Sequence, residues 1–459
     1  MIPVEKIASG TLGNLLYYVA VIGVLLVAAT LIRLKVPFLR KAFIPASLLA
    51  GLIGLILGPH VLKVIPADMM SSIGALPGHM ITVVFACMLL GVRSEKGAAK
   101  AYMHDTIAGI GWKYCCSFMQ VGVGCLLTAL LFTPAFGVNG LFGSLFEIGF
   151  AGGHGTAGGM STVFAETYNW ADGSDLGKTT ATIGLVFGIF GGMAIINIAV
   201  RRKWTKVLTE PTAGNTAKEV FPEGAREASA YGTVSNDVIE PFGFHLGVIG
   251  IAILIGRLIV WGFGRIFHYT GLPLFPFAMI GGWIINLIVQ RTSLRDLFDR
   301  KTFMRIQGMA LEVLVTGAVA SISIPVVVAY WAPLLIGAIV IGLLTVFLTL
   351  WLSPRIFQDC WFEQAIIRYG AYTGVAAIGY MLLRCADPKM ETSAGTIYAL
   401  DSPFNSPFIG GGLITAMWPA LITAMGALRF GVAACGISVA IFLVLLFALR
   451  IKNFRMQQR

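Results

Sequence analysis

Residues 151–162 read AGGHGTAGGMST: five glycines, one histidine and three hydroxyl residues in a chain that is otherwise mostly apolar. Inside a bilayer such a run is costly, because every backbone N–H and C=O must be satisfied and irregular backbone is tolerated only in protein or beside water. A break there offers definite chemistry. Half-helix N-termini carry partial positive charge for an anion, and freed carbonyls can coordinate Na⁺. Thr156 adds a hydroxyl oxygen. A second stretch, Gly370-Ala-Tyr-Thr373-Gly374-Val-Ala376, repeats the pattern of glycine, threonine and small residues. The chemistry on offer is an anion together with a hard cation. The competing reading is close packing of small residues between membrane helices; the second tip and the topology below favour the functional one.

Other candidate groups lie nearby. His154 stands without a second histidine near it, which argues against a metal and leaves a structural or substrate-contacting role open. Arg384, in GYMLLRCADP, has the planar fork that suits a carboxylate, and equally the length to reach the membrane interface. Asn197, Asn405 and Ser406 are polar groups beside the hairpins that can complete a cation or substrate site. Arg257 and Glu312 interrupt apolar runs and are expected to face protein or water, paired for stability or on the ligand path. Glu147 and Glu363 precede the two tips at similar distances, as a repeated structural position does, and Glu363 is followed by Arg368. The sequence holds no HExxH motif, and no nucleophile–base constellation is recognised in it. An enzyme is not expected, and neither is a cofactor.

The elements that must position these residues are membrane helices. The chain has 459 residues, of which 57% are hydrophobic and 12% charged, with a mean hydropathy of +0.83; soluble domains carry about 25% charged residues. The net charge of +11 is scattered through short loops, as orientation signals are, and does not point to nucleic acid. The seven cysteines mostly lie in apolar segments without a CxxC pair, which speaks against disulfides and zinc. The N-terminal run is long enough to be the first span instead of a cleaved leader.

Eleven spans are expected, near 13–33, 42–60, 74–92, 106–133 and 178–200, then 243–264, 272–290, 307–326, 329–352, 404–427 and 430–450. Lys and Arg cluster after spans one, three, five and seven and at the C-terminus, with Arg429 as the exception. That pattern puts the N-terminus outside and the C-terminus in the cytoplasm of a cell (inner) membrane. It holds only if 142–172 and 359–390 each enter and leave by the same face, as re-entrant hairpins dipping from opposite sides. FIPASLLAGLIG echoes LPLFPFAMIGGWI, and ITVVFACMLLGV echoes LEVLVTGAVASI. The expected fold is an all-α polytopic membrane protein of two inverted-topology repeats. Its parts are 1–200, with hairpin 142–172; a cytoplasmic linker, 201–240; 241–428, with hairpin 359–390; and an extra C-terminal helix and tail, 429–459. Inverted repeats are common in secondary transporters, whereas a channel is expected to ring one pore with symmetric subunits.

GGHGTAGG followed by TTATIGLVFGIFGGMAI, together with YGAYTGVAAIGY, resembles the sodium/glutamate symporter family over nearly the whole chain. The resemblance implies an elevator-type homodimer that moves a glutamate-like substrate with Na⁺ as coupling ion. The related citrate/sodium symporters suggest a mobile unit carrying both hairpins against a fixed scaffold. The positions it transfers are Gly153, His154, Gly155, Thr156, Thr373 and Gly374 for substrate, joined by Arg384. For Na⁺ they are Gly152, Thr156, Gly370 and Thr373, joined by Asn197, Asn405 and Ser406. The alternative keeps this architecture with another organic anion: a dicarboxylate, hydroxycarboxylate or sulfonate.

Overall fold

The computed structural model describes residues 9–41, 44–92, 102–208, 223–225, 228–235, 237–267, 272–388 and 390–449. Residues 209–222, 226–227 and 236 of the 201–240 linker, the basic residues Arg93, Lys96 and Lys100, and the tail beyond Leu449 lie outside the described residues. Within them the protein is all-helical, with no strand. Nine helices among the described residues are long and apolar enough to cross a membrane.

By their packing the described helices group into two bodies. The first contains α1 (Ser9–Lys35), α2 (Ala46–Leu57) and α3 (Ala67–Met88). The second body begins with α4 (Met103–Phe136), the short α5 (Ser144–Phe150) and α6 (Gly153–Gly159), and α7 (Gly173–Arg201). The chain then returns to the first body with α8 (Pro241–Phe267), α9 (Leu274–Val289) and α10 (Arg300–Ala320). It finishes in the second with α11 (Trp331–Ile356), α12 (Trp361–Ala386), α13 (Ala394–Asn405), α14 (Leu413–Met425) and α15 (Ala427–Ala448).

Small residues let the first body close. A side chain at Gly51 or Gly54 of α2 would collide with Val319 or Ala320 of α10, and one at Gly281 of α9 would meet the carbonyl of Ala252 on α8. Without a strong hydrophobic drive between helices in lipid, this close backbone approach is what holds them together. Likewise α4 lies against α15, where Gly122 faces Cys435 and Gly111 faces Leu445.

Three expected spans differ in the structure, and one of them, 272–290, forms only the 16 residues of α9. The segment 404–427 is not one helix: α13 ends at Asn405 and α14 starts at Leu413, with Gly410 (φ +64°) and Gly411 (φ +102°) in the break between them. Pro407 and three successive glycines remove the donor and the backbone stiffness that a continuous helix needs. The 42–60 segment forms only the twelve residues of α2, opened by Pro45. In contrast α12, apolar and long enough to span, folds back on itself. Gly370 lies so close to Gly379 that a side chain there would sit 2.7 Å from the Gly379 Cα. Nine residues of straight helix would separate them by about 13 Å.

Candidate functional site at two helix breaks

The first break lies between α5 and α6. Gly152 donates its N–H to the Glu147 carbonyl, and Gly153 then takes φ +70°, a region open to glycine at little cost. The second lies within α12, at Gly374 and Val375, where Val375 has φ +63° and ψ 169°. A β-branched residue in that conformation is strained and is held there by its surroundings. What holds it includes the first break: a Cβ on Gly153 would lie 2.3 Å from Val375 Cγ1. The two tips therefore touch, and glycine at 153 serves both conformation and contact.

Where they meet there is a cavity of about 300 Å³. Gly152, Gly153, His154 and Gly155 line it from one tip, Gly374 to Ile378 from the other, and Asn405, Ser406 and Gly410 from the α13–α14 break. Lys113, Tyr372 and Tyr398 complete the second body's wall, and the first body adds Ser47, Ile81, Phe85, Glu312 and Val315. His154 bonds Thr182 Oγ1 through Nε2 at 2.9 Å. No group of metal-ligating side chains occurs among the described residues.

Behind the cavity wall lies a charged cluster. Lys113 Nζ donates to Asp401 Oδ1, and Arg368 Nη2 donates to Asp401 Oδ2 at 2.6 Å. Arg368 also donates to the Gln364 carbonyl at 2.9 Å, and the Lys113 ammonium lies 3.7 Å from the Tyr398 ring centroid. Arg368 and Asp401 are fully buried and Lys113 is 2% exposed. Two cations share one carboxylate, so the trio carries a net charge of +1 at the edge of the cavity. A buried excess charge is costly unless something of opposite sign comes to it.

A second network fixes the first tip. The Glu147 carboxylate accepts from Ser117 Oγ at 2.6 Å, the Gly410 N–H at 3.0 Å, Thr415 Oγ1 at 3.0 Å and Trp418 Nε1 at 2.9 Å. All four partners donate, and they tie α5 to α4, to the α13–α14 break and to α14. Glu363 is buried too, but accepts the backbone N–H of Lys206 at 2.7 Å. The two glutamates thus hold different elements.

The structure brings seven of the expected positions to the cavity: Gly152, Gly153, His154, Gly155, Gly374, Asn405 and Ser406. Thr156 and Thr373 sit just behind it. Thr156 Oγ1 donates to the Gly152 carbonyl at 3.0 Å and abuts Gly411, while Thr373 Oγ1 donates to the Tyr369 carbonyl at 2.8 Å beside Gly188. Gly370 packs limb against limb a full turn before the break. The positive-φ residues at the two breaks are Gly153 and Val375. Asn197 is exposed and donates to its own helix at the Met193 carbonyl; Arg384 is exposed near the end of α12. Neither lines the cavity. Sequence reasoning passed over Lys113, Tyr398 and Asp401. Their signal was present: a lysine inside IGWKYCCSFM and an aspartate inside YALDSPFN are intramembrane charges.

Among known protein families, the model for the sodium/glutamate symporters matches residues 12–365, most of the chain, in agreement with the resemblance read from its motifs. No curated protein and no solved structure matches. The family is one of membrane transporters, not enzymes.

Proposed function

We propose that this chain, which belongs to the sodium/glutamate symporter family, uses a Na⁺ gradient to import glutamate or a similar small anionic amino acid across the cell membrane. The observation that carries the reading is the meeting of two helix breaks at one cavity whose wall holds an excess positive charge. A cavity of about 300 Å³ is at the lower end of ligand pockets, the size a small metabolite needs. Lys113 attracts the carboxylate, and the tips close over the substrate.

Na⁺ is assigned to the two places where a threonine hydroxyl meets irregular backbone. One joins Gly152 and Thr156 to the Gly410–Gly411 break, near Asn405, whose buried Oδ1 has no hydrogen-bond partner among the described residues. The other joins Thr373 to Gly188, in the π-helical turn Phe187–Gly191.

Inverted repeats are supported by paired irregularities. The π-helical turns Thr128–Phe132 and Leu348–Leu352 are each followed at once by a short helix with proline near its start, Thr133–Phe136 and Ser353–Ile356. Each pair then leads to a tip. An elevator movement of the second body along the first is supported by their contact, where Gly155, Gly158 and Gly159 of α6 lie against Ile81, Pro77 and Phe275. Side chains this small leave a smooth track. The reading includes a homodimer through the first body, with the N-terminus outside and the C-terminus in the cytoplasm.

The test is uptake of radiolabelled L-glutamate by proteoliposomes with an inward Na⁺ gradient or with K⁺ in its place. Uptake only with Na⁺ is expected. Equal uptake in K⁺ refutes the coupling. Na⁺-driven uptake of a dicarboxylate, hydroxycarboxylate or sulfonate without glutamate refutes the substrate alone.

A further inference from the structure

The cavity has walls of opposite charge. On one side stands Lys113, the edge of the +1 cluster in the second body; on the other, Glu312 of α10 opens into the same space from the first body. Around Glu312 the lining is apolar, with Leu311, Val315 and Ile81. Glu312 is exposed to the cavity, and no cation is paired with it among the described residues. An unpartnered carboxylate at membrane depth is costly and marks a ligand path more often than a packing site. Resting on the transport reading above, we infer that Glu312 receives the ammonium group of the substrate and thereby selects an amino acid over a dicarboxylate of the same length.

The physical argument is one of sign and position. An α-amino acid carries its ammonium and carboxylate on one carbon, so a zwitterionic head can bridge a positive wall and a negative one. A five-carbon dicarboxylate without the amine, glutarate, offers Lys113 the same carboxylates but leaves Glu312 unpaired. With no ammonium to offset its two carboxylates, it is also repelled more strongly by Glu312 than glutamate is. Specificity built in this way uses repulsion as well as attraction. Because Glu312 belongs to the first body, it reads the substrate only while the two bodies stand in the arrangement seen here.

The experiment compares Na⁺-driven uptake of radiolabelled glutamate and glutarate in proteoliposomes of wild-type protein, Glu312→Gln and Glu312→Asp. The Na⁺ concentration for half-maximal uptake is measured for each. Glu312→Gln should raise the glutamate KM about 10- to 100-fold, as loss of a charged partner in a wet site does. The glutarate KM should stay level or fall, and Glu312→Asp should restore part of the preference. Equal changes for both substrates, or none, overturn the inference. So does a raised Na⁺ requirement with an unchanged substrate ratio, which makes Glu312 a cation ligand instead. Absence of Na⁺-driven glutamate uptake in the wild-type protein overturns the transport reading itself.

Discussion

Replacing Lys113 with methionine separates recognition from folding, because the charge cluster is redundant on one side only. In the native protein Asp401 is bonded by both Lys113 and Arg368. Lys113→Met leaves Asp401 paired with Arg368 and lowers the net charge from +1 to zero. The fold should survive, since no buried charge loses its last partner. Substrate binding should not. A carboxylate about 4 Å from the ammonium gains about 4 kcal/mol at an effective dielectric of about 20. Water in the cavity reduces that to about 2–3 kcal/mol, a rise in KM of about 30- to 150-fold. Asp401→Asn does the reverse, leaving two buried cations without a counter-charge. It should cost about 3–5 kcal/mol and yield little folded protein. The assay is the glutamate KM in proteoliposomes, with size-exclusion profiles and thermal melting of each variant. Folded Lys113→Met protein with a native KM refutes the assignment of Lys113 to the substrate. Well-folded Asp401→Asn protein refutes the charge arithmetic.

Four further outcomes are expected. Gly153→Ala places a methyl where Val375 already stands and forces alanine to φ +70°; the conformational part alone costs about 1–2 kcal/mol, and transport should be lost while the protein still reaches the membrane. Glu147→Gln turns one of four accepting contacts into a clash between donors, and thermal melting should report a loss of about 2–3 kcal/mol. Thr156→Val and Thr373→Val should each raise the Na⁺ concentration for half-maximal uptake; native Na⁺ activation in both removes them from the cation sites. Asp299 caps α10, accepting from the N–H groups of Lys301 and Thr302, and Asp299→Ala should cost about 1 kcal/mol with the glutamate KM unchanged. Burial pushes the Asp299 carboxyl up, but the bonds from Thr302, Tyr231 and Lys301 outweigh it and hold its pKa below the ordinary value. Its contribution is therefore present at neutral pH and fades as pH falls through that lowered pKa; a stability difference between wild type and Asp299→Ala that persists in strong acid refutes it.

Most of the expected spans were legible because hydropathy is summed over many residues, whereas 42–60, 272–290 and 404–427 form only shorter helices. The cavity's location was legible for a related reason: glycine clusters in lipid mark broken backbone. Registers were harder. GHGTAGG looks like the tip itself, yet the chain turns at Ala151–Gly153, and those residues form the helix that leaves it. In the second hairpin the similar glycine at 370 is used for limb packing and the turn comes at Gly374–Val375. Composition alone does not distinguish a glycine that bends the chain from one that admits a neighbour. The charge cluster was missed because Lys113 and Asp401 are 288 residues apart and neither has a partner nearby in sequence.

The choice between packing and function in this stretch has a residue-by-residue answer that favours both. Gly153 is where conformation matters, with its positive φ and its contact with Val375. Gly158 and Gly159, with Gly155, are where contact with the first body matters: side chains on them would run into Pro77, Phe275 and Ile81. In the proposed elevator movement these uses stand side by side, because the element that would close over the substrate is also the element that would move past the scaffold. Bulk at Gly158 should therefore slow transport without changing which substrate binds, whereas bulk at Gly153 should abolish binding. If Gly158→Ala abolishes glutamate binding as Gly153→Ala does, packing and recognition are not divided along this helix, and the sliding track loses its support.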